Sequence, residues 1–506
     1  MFKRILIANR GEIAVRVIRA CRDLGVESVA VYSEADRAAL HVREADYAVA
    51  VGPPPARESY LQTDRIIEAA RATGAEAIHP GYGFFSENAD FARAVAKAGL
   101  VFIGPPPSAI EKMGDKVEAR KLMAAAGVPV VPGSPGTLEG EGAVRAVAKK
   151  IGFPIMLKAA AGGGGKGMRL VEKDEDLASA VRTVGSEAQS SFGDGRFYVE
   201  KFVTRPRHIE IQVFADQMGE TVHLFERECS IQRRNQKVVE ESPSPFITPE
   251  MRRAMGEVAV KAARAVNYVG AGTVEFLADA DRNFYFLEMN TRIQVEHPVT
   301  EMVTGIDLVK LQIEVAAGMP LPFRQSDLAQ RGWAIECRLY AEDPAAGFAP
   351  APGRIATLRM PEGPGIRVDA GVYEGAEVSL YYDPMIAKLA AWGRDRGEAI
   401  ARMRRALGEL VIAGELTTNL QFHRWIMDQP RFIAGDFDTK FIEQEYHPAA
   451  LAAPADAERV AAILAAAFLA QRNHNHAPAA AVQAGAPAAA PVSAWKTLGR
   501  LDMLRR

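Results

Sequence analysis

The first hundred residues constrain the fold most. Short apolar runs, RILIA (4–8), ESVAVY (27–32), DYAVAV (46–51), EAIHPG (76–81) and LVFIG (100–104), recur along them. Stretches with helical periodicity lie between these runs, at about residues 13–24, around 61–72, and in a segment ending at Lys97. Strands this apolar must be covered on both sides, so the alternation predicts a parallel, doubly wound α/β sheet. The turn NRGE (9–12) stands where a dinucleotide fingerprint would begin, but it has only Gly11. Without G-x-G-x-x-G it reads as a feature of the fold rather than a nicotinamide site.

From Gly114 to about Gln330 the pattern becomes mixed. A helix (DKVEARKLMAAAG) is followed by a strand, FPIMLKAA, and a glycine run. Further strands are expected at FYVEKFV, HIEIQVFA, TVHLFERE and AGTVEFLADA, and a helix at roughly 250–266. Beyond Gly332, short strands with turns and then helices suggest a smaller α+β closing domain. The expected boundaries are 1–113, 114–330 with a lid at about 132–204, 331–446, and a tail at 447–506 carrying an Ala/Pro-rich linker at 474–494. No internal repeat is visible. A net charge of −2 over 506 residues argues against a nucleic-acid partner, and no run of ~20 apolar residues argues for a membrane span. Cys21, Cys229 and Cys337 are too few and scattered for a disulfide framework or a zinc site. The opening MFKRILIANRGE runs straight into a strand and turn, so the expectation is a cytoplasmic protein without a secretory signal.

Two stretches point to chemistry. In PIMLKAAAGGGGKGMRL (154–170), Gly162, Gly163, Gly164 and Gly165 leave backbone N–H groups free to wrap an anion, flanked by Lys158, Lys166 and Gly167. No G-K-[ST] opens a helix there, so the run reads as a lid over phosphates rather than a Walker loop. In the second stretch, Glu275 sits inside TVEFLA, and Glu288 and Asn290 end FYFLEMN. The intervening DADRN makes a hairpin that sets the two carboxylates side by side, as hard oxygen donors for Mg²⁺.

Several longer motifs carry a family resemblance: IANRGEIAVRVIRA, HPGYGFFSEN, GPPPSAIEKMGDK, AGGGGKGM, RPRHIEIQV, ECSIQRRNQKVVEE, EMNTRIQVEHPVTEM and ECRLYAEDP. Over residues 1–446 the chain resembles the ATP-grasp biotin carboxylases. The resemblance implies a Rossmann-like pre-ATP-grasp domain, a central ATP-grasp domain with a glycine-rich lid, and a C-terminal biotin-carboxylase domain. It implies a ligase in which ATP phosphorylates bicarbonate to carboxyphosphate and the ureido N1 of biotin is then carboxylated. ATP, Mg²⁺ (or Mn²⁺) and bicarbonate are the implied cofactors. Biotin is implied as a carrier-bound substrate, not attached to this chain.

Residue by residue, the resemblance implies that Lys116, Lys158, His208, Gln232 and Asn235 contact the nucleotide, with Glu200 and Lys201 at a hinge beneath the adenine. Gly163, Gly164, Gly165, Lys166 and Gly167 would form the lid. Glu275 and Glu288, with Asn290, would hold the metal between the phosphates. Arg292, Lys237 and the backbone at Gln294 and Val295 would bind bicarbonate, and Glu296 would take its proton. Arg338 would stabilise the biotin ureido oxygen, and Tyr82 would stack near biotin. Most family members carry His where this chain has Asn235. The Asn form, with the IRVDAG and DTKFI stretches, resembles the α subunits of propionyl-CoA carboxylase-type enzymes, which points to an acyl-CoA carboxylase over a pyruvate carboxylase; against the other alternative, a non-catalytic ATP-binding scaffold, stands the presence of Glu296, Arg292 and Lys237. The implied partners are a biotin carboxyl carrier protein and a carboxyltransferase subunit, with homo-oligomers inside a larger complex. No M-K-M tripeptide occurs, so the carrier is expected as a separate chain. Trp495, Leu498, Leu501 and Leu504 share a three-residue spacing suited to docking.

One consequence concerns the alternation of Glu288, Asn290, Arg292, Gln294 and Glu296 with Met289, Thr291, Ile293 and Val295. As one straight strand, residues 288–296 would extend about 26 Å. That is too long for sites that exchange a phosphoryl and a carboxyl group. The strand is therefore expected to end near Asn290, with the chain curling around the anion before Pro298.

Overall fold

The computed structural model describes residues 1–138, 140–160, 167–192 and 195–451. Gly163, Gly164, Gly165 and Lys166 of the expected lid, and Trp495, Leu498, Leu501 and Leu504 of the tail, lie outside them.

Strands β1 (Arg4–Ile7), β2 (Glu27–Ser33), β3 (Tyr47–Gly52), β4 (Ala77–His79) and β5 (Val101–Phe102) form a parallel sheet in the order β3-β2-β1-β4-β5. Ile5 and Ile7 join one core with Ile13 and Val17 of helix α1 (Gly11–Asp23), while Leu6 and Ala8 join another with Ile66 and Phe91. Both faces of the inner strands β1, β2 and β4 are buried, which is why those runs read as continuously apolar rather than alternating.

A second, small sheet has the order β7-β6-β8, from β6 (Ile155–Ala159), β7 (Met168–Val171) and β8 (Phe197–Lys201). Helices Gly140–Ile151 and Leu177–Phe192 cover it, giving a core of its own around Val144, Leu157, Val184 and Val199. The chain entering this unit bridges to β8 at Gly133, opposite Glu200. A Cβ at Gly133 would press into the Val199 carbonyl and the Arg120 guanidinium. Gly133→Ala is expected to destabilise the protein by about 1–3 kcal/mol through that crowding, read as a lower urea midpoint.

The third sheet is antiparallel and eight-stranded. It runs β13-β12-β9-β10-β11-β14, from β9 (Arg207–Ala215), β10 (Thr221–Arg233), β11 (Gln236–Ser242), β12 (Gly270–Ala278), β13 (Phe284–Asn290) and β14 (Trp333–Tyr340), and is completed by Met385–Gly393 and Ile366–Ala370. Ile209, Ile211 and Val213 face a core built on helix Pro249–Ala265. His208, Glu210 and Gln212 alternate with them onto the opposite face, and all three are buried.

The segment beyond Gly332 is not a separate sheet at this point. Strand β14 pairs with β11, Val239 opposite Cys337 and Glu240 opposite Glu336, and so extends the central sheet. The helices expected behind it, Arg396–Glu409 and Leu420–Asp428, pack on this extension around Ile335, Leu339, Met403 and Phe422. Among the described residues, no helix is long and apolar enough to cross a membrane.

Candidate active site

Strands β12 and β13 form the expected hairpin, with Glu275 directly opposite Glu288. Strand β13 ends at Asn290 and a helix begins at His297, so the alternating pattern of 288–296 does not continue as a strand. The connection 291–296 curls over the polar face of the sheet and closes one wall of a cavity of about 560 Å³. Lys116, Lys158, Glu200, Lys201, His208, Gln232, Asn235, Lys237, Glu275, Glu288, Asn290, Arg292, Gln294, Val295, Glu296 and Arg338 all line it. Tyr82 does not. Its hydroxyl donates to the Glu12 carboxylate, away from the cavity. Gly167 closes the β6–β7 loop at φ +71° and accepts a hydrogen bond from the Ala159 N–H at 2.7 Å.

The two ends of the cavity differ in character. At one, Met156, Met168, Leu277 and Phe286 make an apolar slot beside the backbone of residues 200–203, a shape and chemistry suited to a purine. Glu200 there pairs with Lys158 and Arg120. The Lys201 ammonium turns outward to the carbonyls of Gly152 (3.0 Å) and Phe153 (2.8 Å), tying the hinge to the lid.

The other end is a buried ion network. Lys237 donates to Glu210, to Glu275 at 2.9 Å and to Glu296 at 2.6 Å. Glu275 also accepts from Asn290 (2.8 Å) and Gln294 (2.9 Å), and its second oxygen lies 2.9 Å from His208 Nε2. The second oxygen of Glu296 accepts from Arg338 at 2.8 Å, and Arg338 also holds Glu240. Arg292 is anchored by Glu87 at 2.8 Å, a residue of the HPGYGFFSEN motif, and by the Asn290 amide oxygen at 2.9 Å. Beneath all of these lies Arg227, fully buried, donating to Glu210, Gln212, Thr273, Gln294 and Thr300.

The sequence reading missed Arg120, Arg227, Glu87 and Glu210. Glu210 had a signal, since it shares the period-two face of His208 in HIEIQV.

Charge placement sets the titration behaviour. Burial would raise Glu275 and Glu296, but Lys237 beside both, His208 beside Glu275 and Arg338 beside Glu296 hold them well below the usual carboxylate range. Burial would lower Lys237 and His208, yet the surrounding carboxylates push both up. Glu240 and Glu336, directly opposite each other, go the other way. Burial outweighs Arg338 at Glu240 and pushes it up to about 7, and burial pushes Glu336 well above its ordinary value.

A carboxyl whose folded pKa is raised keeps its proton after the unfolded chain has lost it. Its contribution is therefore greatest below about pH 4.5 and is lost as pH rises towards 7. Glu240→Gln is accordingly expected to flatten the fall in stability between pH 5 and 7 by roughly 1–3 kcal/mol, measured by urea unfolding across that range.

Glu275, Glu288 and Asn290 suit a hard divalent cation, since each offers an oxygen. Two carboxylates directly opposite on one hairpin repel each other. Here each is met by positive charge, His208 and Lys237 at Glu275 and Lys116 at 3.5 Å from Glu288. That is the same demand a metal ion would satisfy.

Asn235, where the resemblance expects His, has a backbone reason. It and Arg234 form the two-residue turn between β10 and β11, with φ +68° and +50°. A type I′ hairpin turn requires both values positive, and Asn adopts them readily.

Residues 1–110 match the family model "Biotin carboxylase, N-terminal domain", 115–324 match "Carbamoyl-phosphate synthase L chain, ATP binding domain", and 336–444 match "Biotin carboxylase C-terminal domain". The chain is 54% identical to Biotin carboxylase 1 of Bacillus subtilis, over 88% of this chain and 98% of that one. It is 54% identical to the propionyl-CoA carboxylase alpha chain of Ruegeria pomeroyi, over 88% and 68%, and 55% identical to a pyruvate carboxylase subunit of Methanothermobacter thermautotrophicus, over 88% and 90%. Among solved structures it resembles the biotin carboxylase domain of Hydrogenobacter thermophilus 2-oxoglutarate carboxylase, described as a dimer in complex with MgADP, ADP and bicarbonate. The TM-score is 0.84 and the identity 48%, over 90% of this chain and 99% of that one. The chain belongs to the biotin carboxylase family of ATP-dependent ligases.

Proposed function

We propose that this chain is the biotin carboxylase subunit of an acyl-CoA carboxylase, which carboxylates biotin borne on a carrier protein and works with a carboxyltransferase partner. The observation that carries the carboxylation chemistry is the junction of an apolar slot and an ion network in one cavity, with Glu296 held between Lys237 and Arg338.

ATP lies with its base in the slot and its phosphates towards Lys116, Lys158 and His208. Glu275 and Glu288 with Asn290 would hold Mg²⁺, which would supply neutralisation of the phosphate charge. Arg292 offers its fork of donors to bicarbonate, and Lys237 with the 291–296 backbone completes the anion pocket. Transfer of the γ-phosphoryl group to bicarbonate releases ADP and gives carboxyphosphate; its carboxyl group then passes to the ureido N1 of biotin as the C–O bond to phosphate breaks and the departing phosphate takes the N1 proton, while Arg338 faces the developing oxyanion.

Glu296 accepts the bicarbonate proton. A base works best with a pKa near the operating pH, and both cations now hold Glu296 far lower. A bound bicarbonate that shares Lys237 withdraws compensation from Glu296 and raises its affinity for a proton at the moment it must take one.

The test of this reading is ATP hydrolysis measured with and without bicarbonate and free biotin. Turnover should require bicarbonate and rise with biotin, and turnover indifferent to biotin would defeat the assignment. For the acyl group, the relatives point both ways, since a chain from a pyruvate carboxylase is as similar as one from a propionyl-CoA carboxylase. Reconstitution with carrier and transferase chains should support carboxylation of an acyl-CoA. Product from pyruvate alone would establish the second reading.

A further inference from the structure

Lys388 is almost completely buried, does not line the cavity, and has no part in the roles given above. It sits on strand Met385–Gly393, opposite Arg338 of β14 on one side and Asp369 on the other. Its ammonium lies 3.2 Å from Glu12, 3.7 Å from Asp369, and donates to the Val295 carbonyl at 3.0 Å. An ammonium has three donors and a strong need for partners when buried. Glu12 and Asp369 compensate its charge as ion-pair partners. Its hydrogen bond goes to a backbone oxygen of the 291–296 connection.

That contact has a geometric consequence. In a trans peptide the C=O and the following N–H point in opposite directions. Holding the Val295 carbonyl back towards Lys388 therefore turns the Glu296 N–H the other way, to the cavity side. Val295 and Glu296 both line the cavity, whereas Lys388 lies behind them. The same ammonium connects the connection to the first sheet, because Glu12 accepts from the Tyr82 hydroxyl.

We propose that Lys388 is a positioning residue for bicarbonate: by gripping the Val295 carbonyl it turns the peptide between Val295 and Glu296 so that the Glu296 N–H faces the anion. The inference rests on the bicarbonate site described under Proposed function. It assigns to the C-terminal part of the sheet a role in one substrate's binding and none in the other's, since Lys388 touches Val295 of the bicarbonate pocket and none of the residues given to ATP.

The full chain carrying Lys388→Met is compared with the unaltered one for the KM of bicarbonate and of ATP in the bicarbonate-dependent ATPase. The bicarbonate KM should rise about tenfold while the ATP KM stays within about twofold. Glu12→Gln, which leaves Lys388 in place but removes one of its two counter-charges, should move the bicarbonate KM in the same direction by about threefold. It decides the question if Lys388→Met does not fold. An unchanged bicarbonate KM in the folded variants overturns the proposal. So does a parallel rise in both KM values, which is what a merely structural role would give. Failure of the underlying function shows instead in the unaltered chain, as ATP turnover that ignores bicarbonate, and removes both readings together.

Discussion

Glu296→Gln should lower bicarbonate-dependent, biotin-stimulated ATP turnover roughly a hundred- to ten-thousandfold, the range for losing a positioned proton acceptor, while nucleotide binding persists. The substitution keeps volume and can still accept from one of Lys237 and Arg338, which reach separate oxygens of Glu296 at 2.6 and 2.8 Å, while its NH2 group faces the other. Lys237 retains Glu210 and Glu275 as counter-charges, so the network is not left with an unpaired cation. The measurement is steady-state turnover beside an equilibrium titration with an ATP analogue. Undiminished turnover would show that Glu296 takes no proton in the reaction, whatever its place in the cavity.

Arg227→Met is expected to act on the fold as strongly as Glu296→Gln acts on the chemistry. Arg227 is wholly buried and donates to five side chains drawn from β9, β12, the 291–296 connection and the helix His297–Thr304. Methionine fills much of the volume but leaves Glu210 without one of its two cations and takes a donor from four other polar groups. Breaking a buried pair in this way costs roughly 3–5 kcal/mol, far more than losing a surface bridge. Set against the roughly 5–15 kcal/mol that folded proteins have in hand, that is a large share. Urea unfolding should show a much lower midpoint. A variant with an unaltered midpoint would mean that Arg227 only accompanies the fold.

What could be read from the sequence followed from local rules. The apolar runs of the first hundred residues had to be covered on both faces, and they form the parallel sheet. The short DADRN link forced Glu275 against Glu288, and the register has them directly opposite. The length of a straight strand over 288–296 was incompatible with converging sites, and the strand stops at Asn290.

What could not be read depended on partners distant in the chain. Nothing in the periodicity of WAIECRLY says that it pairs with β11, about a hundred residues earlier, because an alternating strand reports its faces and not its neighbour. Glu210 and Gln212 stand on the same face as His208, but polar faces of antiparallel strands ordinarily meet water. Here the 291–304 segment covers that face, and Arg227 holds the two together. His208, which follows Arg205 and Arg207 and could pass for a surface histidine, is buried against Glu275 for the same reason. Tyr82 had the least local support of the expected site residues, and its hydroxyl is committed to Glu12.

The central claim is that this chain uses ATP to place the carboxyl group of bicarbonate on biotin. It is tested most directly by incubating the chain with MgATP, isotopically labelled bicarbonate and free biotin, and assaying for acid-labile label on biotin. The account predicts ATP-dependent labelling of biotin in the unaltered chain and none in Glu296→Gln. ATP hydrolysis that leaves biotin unlabelled would contradict it.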